Sequence, residues 1–91
     1  MVVIVHVIAT YDIGEKRVAK VLKTFRKYLT WIQNSVFMGD ITKAQLEKLK
    51  MELYEIIDED YDQVLFFKVN TAKMLKTETL GKEFNPLDNF L

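Results

Sequence analysis

The alternation of apolar and polar positions predicts strands at both ends of the chain's first 69 residues and a helix after the first strand. Residues 2–11 are apolar and β-branched on both alternations, the pattern of a strand that is buried on both faces. Residues 15–29 repeat their apolar positions every three or four residues, as an amphipathic helix does. Residues 63–69, QVLFFKV, have the Val and Phe content typical of a strand.

Two more segments with recognisable patterns lie between these elements. Residues 30–41, TWIQNSVFMGDI, place β-branched and aromatic residues around the turn formers Asn34 and Ser35, which predicts two short strands or a kinked hairpin. Thr42 and Gln45 form a capping box, and apolar residues at helical spacing follow them. We therefore predict a second helix over about residues 43–57.

The order strand, helix, two strands, helix, strand defines the predicted fold class. It is the α+β, ferredoxin-like βαββαβ arrangement, in which both helices cover one face of an antiparallel sheet. We expect one domain over residues 1–91, with a core over about 1–69 and a tail over 70–91. Because the first and last strands are apolar in both directions, we expect a second copy of the chain to cover the open face across a two-fold axis.

Composition excludes several kinds of site. The 91 residues contain no cysteine and one histidine, so neither a disulfide framework nor a Cys- or His-rich metal site is available. The apolar start of the chain lacks a basic region and falls short of the ~18 residues of a membrane span. We expect no signal peptide, no membrane segment and a cytoplasmic protein.

Charge is balanced overall but not along the chain. There are 13 basic and 13 acidic residues, whereas residues 16–30 hold six cations and no acid. A local positive field attracts a polyanion, so we favour phosphate contact over a merely solvated helix face. The six cations are Lys16, Arg17, Lys20, Lys23, Arg26 and Lys27. An acidic cluster lies further along the chain, at Asp58, Glu59, Asp60 and Asp62. We assign Glu47, Glu52 and Glu55 to the solvated face of the second helix.

Asp12 has two readings from its local sequence. In DIGE, Asp12 and Glu15 have the spacing of a capping box, which contributes about 1 kcal/mol and is the favoured reading of the residues alone. Alternatively, Asp12 ends the first strand of a two-fold dimer, where two such carboxylates would share a hard cation such as magnesium. An ion of this kind activates water against a phosphodiester.

Other polar and aromatic residues have simpler interpretations. His6 lies among valines and is expected to be buried and hydrogen-bonded, with no catalytic role. Ser35 has no nearby base to make it a nucleophile, so its hydroxyl is expected to bond backbone or phosphate. For Trp31 and Phe37, packing in the core or an interface is favoured over base stacking.

Several motifs together resemble the CRISPR-associated Cas-two family over nearly the whole chain. They are YDI at the end of the first strand, KRVAKVLK, QNSVFMGDIT, AQLEKLKMEL and TLGKEF. The most specific is QNSVF with a glycine two residues after the phenylalanine. The chain departs from the family pattern at Trp31, where an arginine is common, and at Met38, where an acid is frequent.

The resemblance implies a homodimer whose tail, near Thr77 to Leu80, adds a strand to the partner's sheet. It implies an endonuclease for RNA or double-stranded DNA that depends on magnesium or another divalent cation, with Asp12 as catalytic residue and metal ligand. It links Arg17, Ser35 and Phe37 to substrate handling.

The resemblance also implies that, in CRISPR adaptation, an antiviral defence, such a dimer bridges two dimers of the Cas-one integrase and holds spacer DNA without cutting it. A purely non-catalytic DNA-binding adapter is therefore an alternative to the nuclease. A small-ligand regulatory domain of the same fold is a further one.

Overall fold

A four-stranded antiparallel sheet carries two helices in the computed structural model, which describes residues 2–69 and 76–82. The elements are β1 (Ile4–Asp12), α1 (Glu15–Arg26), β2 (Thr30–Gln33), β3 (Val36–Thr42), α2 (Lys43–Tyr54) and β4 (Gln63–Val69). The strand order is β2-β3-β1-β4, and every neighbouring pair is antiparallel. The predicted ferredoxin-like α+β fold is confirmed, and the hairpin predicted over residues 30–41 is the β2–β3 pair.

The core lies between the sheet and both helices. Every second residue of β1 points into it, and Val7 and Ala9 have no exposed surface. The rings of Phe25 on α1 and Phe37 on β3 are stacked there, with centroids 4.8 Å apart. The complete buried cluster is Val5, Val7, Ala9, Val21, Phe25, Leu29, Phe37, Ile41, Leu46, Leu49 and Leu53. Because residues of both helices join one cluster with those of β1, both helices cover the same sheet face.

The two helices begin in different ways. At α2 the predicted capping box is present, since the backbone N–H of Gln45 donates to Thr42 Oγ1 and that of Thr42 donates to Gln45 Oε1. At α1 the N-cap is Gly14, and no side chain caps the helix. The prediction that Asp12 caps α1 is wrong, because Asp12 is still part of β1 and pairs with Gln63 of β4.

The opposite face of the sheet is apolar and uncovered in the single chain. Phe67 is 56% exposed and Leu65 is 45% exposed, although both lie within β4. Phe67 is the cross-strand neighbour of Ile8 on β1, so this apolar surface crosses strands. On the same face, His6 Nδ1 hydrogen-bonds to Asp40 of β3, so the predicted hydrogen bond is present, although His6 is half-buried on this open face and not buried.

Two expectations about the rest of the chain have different outcomes. No helix in the described segments is long and apolar enough to cross a membrane. Residues 76–82 form no helix or strand in the single chain, so the exchange of a strand near Thr77 to Leu80 stays a prediction about a dimer. The remainder of the tail, 70–75 and 83–91, lies outside the described residues.

Leu49 provides a test of the core. Its side chain is fully buried on α2, so we expect Leu49→Ala to lower the free energy of unfolding by about 2–5 kcal/mol. Met51 on the same helix is 69% exposed, and Met51→Ala should stay within about 0.5 kcal/mol of the parent. Guanidinium unfolding of both variants makes the comparison. Equal destabilisation of the two would contradict this assignment of the core.

Candidate metal and nucleic-acid site

Asp12 is a solvent-facing carboxylate at the end of β1, one of the two inner strands of the sheet. It is the last residue of β1 and is exposed. Among the described residues its carboxylate forms no hydrogen bond and no ion pair. It is therefore available to bind a ligand rather than being used by the fold.

The donor set fits magnesium in kind but not in number. Carboxylate oxygen is the ligand that this hard cation prefers, and it takes about six ligands at short distance. Within residues 2–69 and 76–82, no group of three His, Cys, Asp or Glu side chains is placed to hold a metal. An ion at Asp12 would need its other ligands from water, substrate or a second chain.

The β2–β3 turn is held against the residue before Asp12. The backbone N–H of Tyr11 donates to the carbonyl oxygen of Ser35 over 3.1 Å. The Tyr11 hydroxyl and the Trp31 indole N–H both donate to the carbonyl oxygen of Asn34, over 3.2 and 3.0 Å. Asn34 has a φ of 40°, a conformation that asparagine tolerates in turns. These bonds bring Ser35 to the same end of the sheet as Asp12.

Phe37 belongs to the core. Its ring has no exposed surface and lies 6.1 Å from that of Tyr11, in addition to its stacking on Phe25. The expectation of packing is thereby confirmed. A ring without exposed surface does not touch a substrate in this conformation, so its link to substrate handling would act through the position of the turn.

Asp62 organises the loop next to the site, a role that sequence reasoning missed. Its carboxylate accepts from Arg17 Nε over 2.5 Å and from Arg17 Nη2 over 2.9 Å. It also accepts from the backbone N–H of Gly14 and of Asp58, over 2.7 and 2.8 Å. The Arg17 hydrogen bonds, opposed by burial and helped by the two backbone N–H groups, hold the pKa of Asp62 well below its usual range. The same pairing raises the pKa of Arg17.

The six cations of the first helical segment fall into two groups. Arg17 is bound by Asp62, and Lys27 Nζ donates to Glu52 Oε1 over 2.5 Å. Glu52 also accepts from the Tyr28 hydroxyl, and its bonds to Lys27 and Tyr28 lower its pKa. The expectation that all six lack a compensating acid is wrong, because α2 and the loop after it bring two acids against α1. Of the six, those that are exposed and have no ion pair to a described residue are Lys16, Lys20, Lys23 and Arg26.

An apolar pocket lies apart from these residues. It has a volume of about 220 Å³ and lies between α2 and β4. Its lining residues are Lys50, Leu53, Tyr54, Ile57, Val64 and Phe66. None of the residues assigned to the metal and nucleic-acid site contributes to it.

Fold and site together define a small ferredoxin-like protein with an exposed carboxylate next to a cationic helix. A family model described as CRISPR associated protein Cas2 matches residues 5–77. The "CRISPR-associated endoribonuclease Cas2" of Thermotoga maritima is 50% identical over 78 residues, covering 86% of this chain and 90% of the relative. The "CRISPR-associated endoribonuclease Cas2 2" of Archaeoglobus fulgidus is 48% identical over 91% of this chain and 90% of its own.

A solved structure agrees with these relatives. The crystal structure of Streptococcus pyogenes Cas2 at pH 6.5 superposes with a TM-score of 0.72 at 34% identity, over 84% of this chain and 99% of that one. The chain therefore belongs to the CRISPR-associated Cas2 family, as its motifs predict.

Acid unfolding tests the role of Asp62. A carboxylate whose pKa is lower in the folded than in the unfolded protein adds stability above the unfolded value, about 3.9, and this stability disappears as the pH falls. We expect Asp62→Asn to lower the melting temperature at pH 7 and to flatten its decline below about pH 4. Melting curves from pH 7 to pH 2 measure both effects.

The matched control is Asp60→Asn, which changes an exposed acid of the same loop. It should leave the melting temperature close to the parent at every pH. A parent-like decline in the Asp62 variant would show that this carboxylate does not couple folding to pH.

Proposed function

We propose that the protein is a divalent-metal-dependent endonuclease of RNA or double-stranded DNA that works as a homodimer in CRISPR adaptation. The observation that carries this proposal is the free Asp12 carboxylate, exposed at the end of β1 and followed at once by the cationic helix α1. The two relatives' name, endoribonuclease, supports a nuclease. The Asp12 carboxylate has no partner among the described residues, so binding an ion there would break no contact of the fold.

The uncovered sheet face supports the homodimer. Large apolar residues such as Phe67 and Leu65 are half exposed there, and burying them against a second copy would remove apolar surface from water. A two-fold axis would give the dimer two copies of Asp12. That would double the carboxylate ligands that a single chain offers to one ion.

Different residues of this chain would have different roles in phosphodiester cleavage. A bound divalent ion would polarise the phosphodiester and make an attacking water more acidic. Asp12 would hold that ion, while the α1 cations hold the charged backbone on either side of the scissile bond. Lys16, Lys20 and Lys23 are spaced four and three residues apart, so they share one helix face. Contacts with phosphates carry no base information, so binding would depend little on sequence.

Removing the carboxylate charge is the direct test of the nuclease. We expect Asp12→Asn to abolish cleavage of labelled RNA and duplex DNA in magnesium, because asparagine is a poorer ligand for a hard cation than carboxylate. Size-exclusion chromatography should show the same oligomer as the parent. Cleavage that persists in the variant would mean that another site, or a contaminant, is responsible.

Reversing the free cations tests the phosphate contacts. We expect Lys16→Glu, Lys20→Glu and Lys23→Glu in one chain to weaken duplex binding and to reduce the salt slope by about 0.9 for each phosphate that is no longer neutralised. The control reverses Lys43 and Lys48, which are exposed on α2, and should keep most of the affinity and the slope. Fluorescence anisotropy over a salt series measures both. Equally weakened binding in the two variants would reveal a general charge effect instead of a binding face.

A non-catalytic adapter is the second candidate function. It is favoured by the four free cations together with the lack of a complete metal-ligand set in the described chain. In this function the dimer would bridge dimers of the Cas-one integrase and hold spacer DNA. The same variants separate the two functions, because an adapter keeps spacer integration in Asp12→Asn and loses it in the lysine-reversed chain.

A further inference from the structure

Arg17 and Asp62 lie beside the proposed metal ligand but face each other. We propose that they form a positioning pair that holds the segment 12–14 in place, and that Arg17 is not a phosphate ligand. The inference rests on the proposed function of Asp12 for its effect on cleavage. It changes the role that the family resemblance gives to Arg17.

The segment 12–14 is held at both of its ends by one stretch of chain. At one end Asp12 pairs with Gln63 in the β1–β4 ladder. At the other end the backbone N–H of Gly14 donates to the carboxylate of Asp62, the residue next to Gln63. Asp62 and Gln63 are neighbours, so a displacement of Asp62 would disturb both contacts that hold the segment 12–14. It would thereby move Asp12, the carboxylate that we assign to the metal.

The charges favour a closed pair over a free arginine. The Asp62 side chain has no exposed surface, and its two oxygens accept four hydrogen bonds, two of them from the fork of Arg17. If Arg17 turned outward to a phosphate, it would leave a buried carboxylate without its counter-charge, which is strongly unfavourable. Lys16 and Lys20 are exposed and free in the same part of α1, so a phosphate has other partners.

Gly14 shows how closely the pair is packed into the loop. A Cβ added at this position would lie 2.4 Å from Arg17 Nη2 and 3.4 Å from Asp62 Oδ1. Any larger residue would therefore force the guanidinium to shift. The absence of a side chain at residue 14 leaves room for the guanidinium in its position against Asp62.

The test is a double-mutant cycle of Arg17→Gln, Asp62→Asn and the two combined. If the two residues act as one positioning unit, each single variant lowers kcat by a similar factor, on the order of 10²-fold for a displacement of about 1 Å. The double variant is then no worse than either single one, because residues that share one interaction are not additive. KM and the salt slope of duplex binding remain those of the parent, measured well below the melting temperature of each variant.

Two further variants separate positioning from stability. Glu52→Gln removes the acid that binds the other end of α1, through Lys27 and Tyr28, and should lower the melting temperature while leaving kcat unchanged. Gly14→Ala should reproduce the kcat loss of Arg17→Gln, because it pushes the guanidinium away. If Asp62→Asn does not fold, Arg17→Lys is used to disrupt the pair instead. Lysine keeps the positive charge of arginine but lacks its two-pronged hydrogen-bond donor.

Phosphate binding by Arg17 would give a different result. In that case Arg17→Gln reduces the salt slope by about 0.9 and raises KM, and its effect multiplies with that of Asp62→Asn. A reduced salt slope with a raised KM, or a multiplicative effect of the two substitutions, would overturn the positioning pair.

Amide hydrogen exchange distinguishes a failure of the proposed nuclease from a failure of the positioning pair, because it requires no enzymatic activity. Amide hydrogen exchange at Gly14 should speed up in Arg17→Gln and Asp62→Asn but not in Glu52→Gln. If the parent does not cleave yet Gly14 behaves in this way, the nuclease is wrong and the pair stands. If Gly14 exchange is unchanged, the pair is wrong whatever the activity.

Discussion

The hydrogen-bonded pairing of β1 with strands on both sides is the constraint on which the structure depends. β1 pairs with β3 from Ile4 to Thr10 and with β4 from His6 to Asp12. Its inward residues join the buried cluster beneath both helices, and its last residue is the exposed Asp12. The pairing of β1 with β4 therefore sets the place of the carboxylate in the sheet.

Features that depend on residues a few positions apart could be read from the sequence. The capping box of Thr42 and Gln45 and the amphipathic spacing of α1 are of this kind, and both are present. The local rule failed at Asp12, where the spacing to Glu15 also fits a capping box. It failed because pairing with Gln63, far along the chain, extends β1 through Asp12, so the cap position falls on Gly14.

The ion pairs could not be predicted for the same physical reason. Arg17 and Asp62 are 45 residues apart, and only the folded arrangement of the β1–α1 and α2–β4 loops brings them together. From sequence, Asp62 is one of several acids in a short run. In the structure it is the buried one, while Asp58 uses its own carboxylate to accept from the backbone N–H of Asp60. Composition shows how many acids there are, but not which of them enter the core.

A neutral chain can still present a positive surface because acids and bases are sorted by the fold. Two acids contact cations near the beginning and the end of α1: Asp62 pairs with Arg17, and Glu52 pairs with Lys27. These ion pairs connect the α1 segment to α2 and to the loop that follows α2. The lysines left on the outer face are one helical turn apart, ~5.4 Å, which is shorter than the screening length of about 8 Å at physiological salt. Their fields therefore add. If this face binds a nucleic acid, its attraction is to the regular charge of the backbone, which carries no base information.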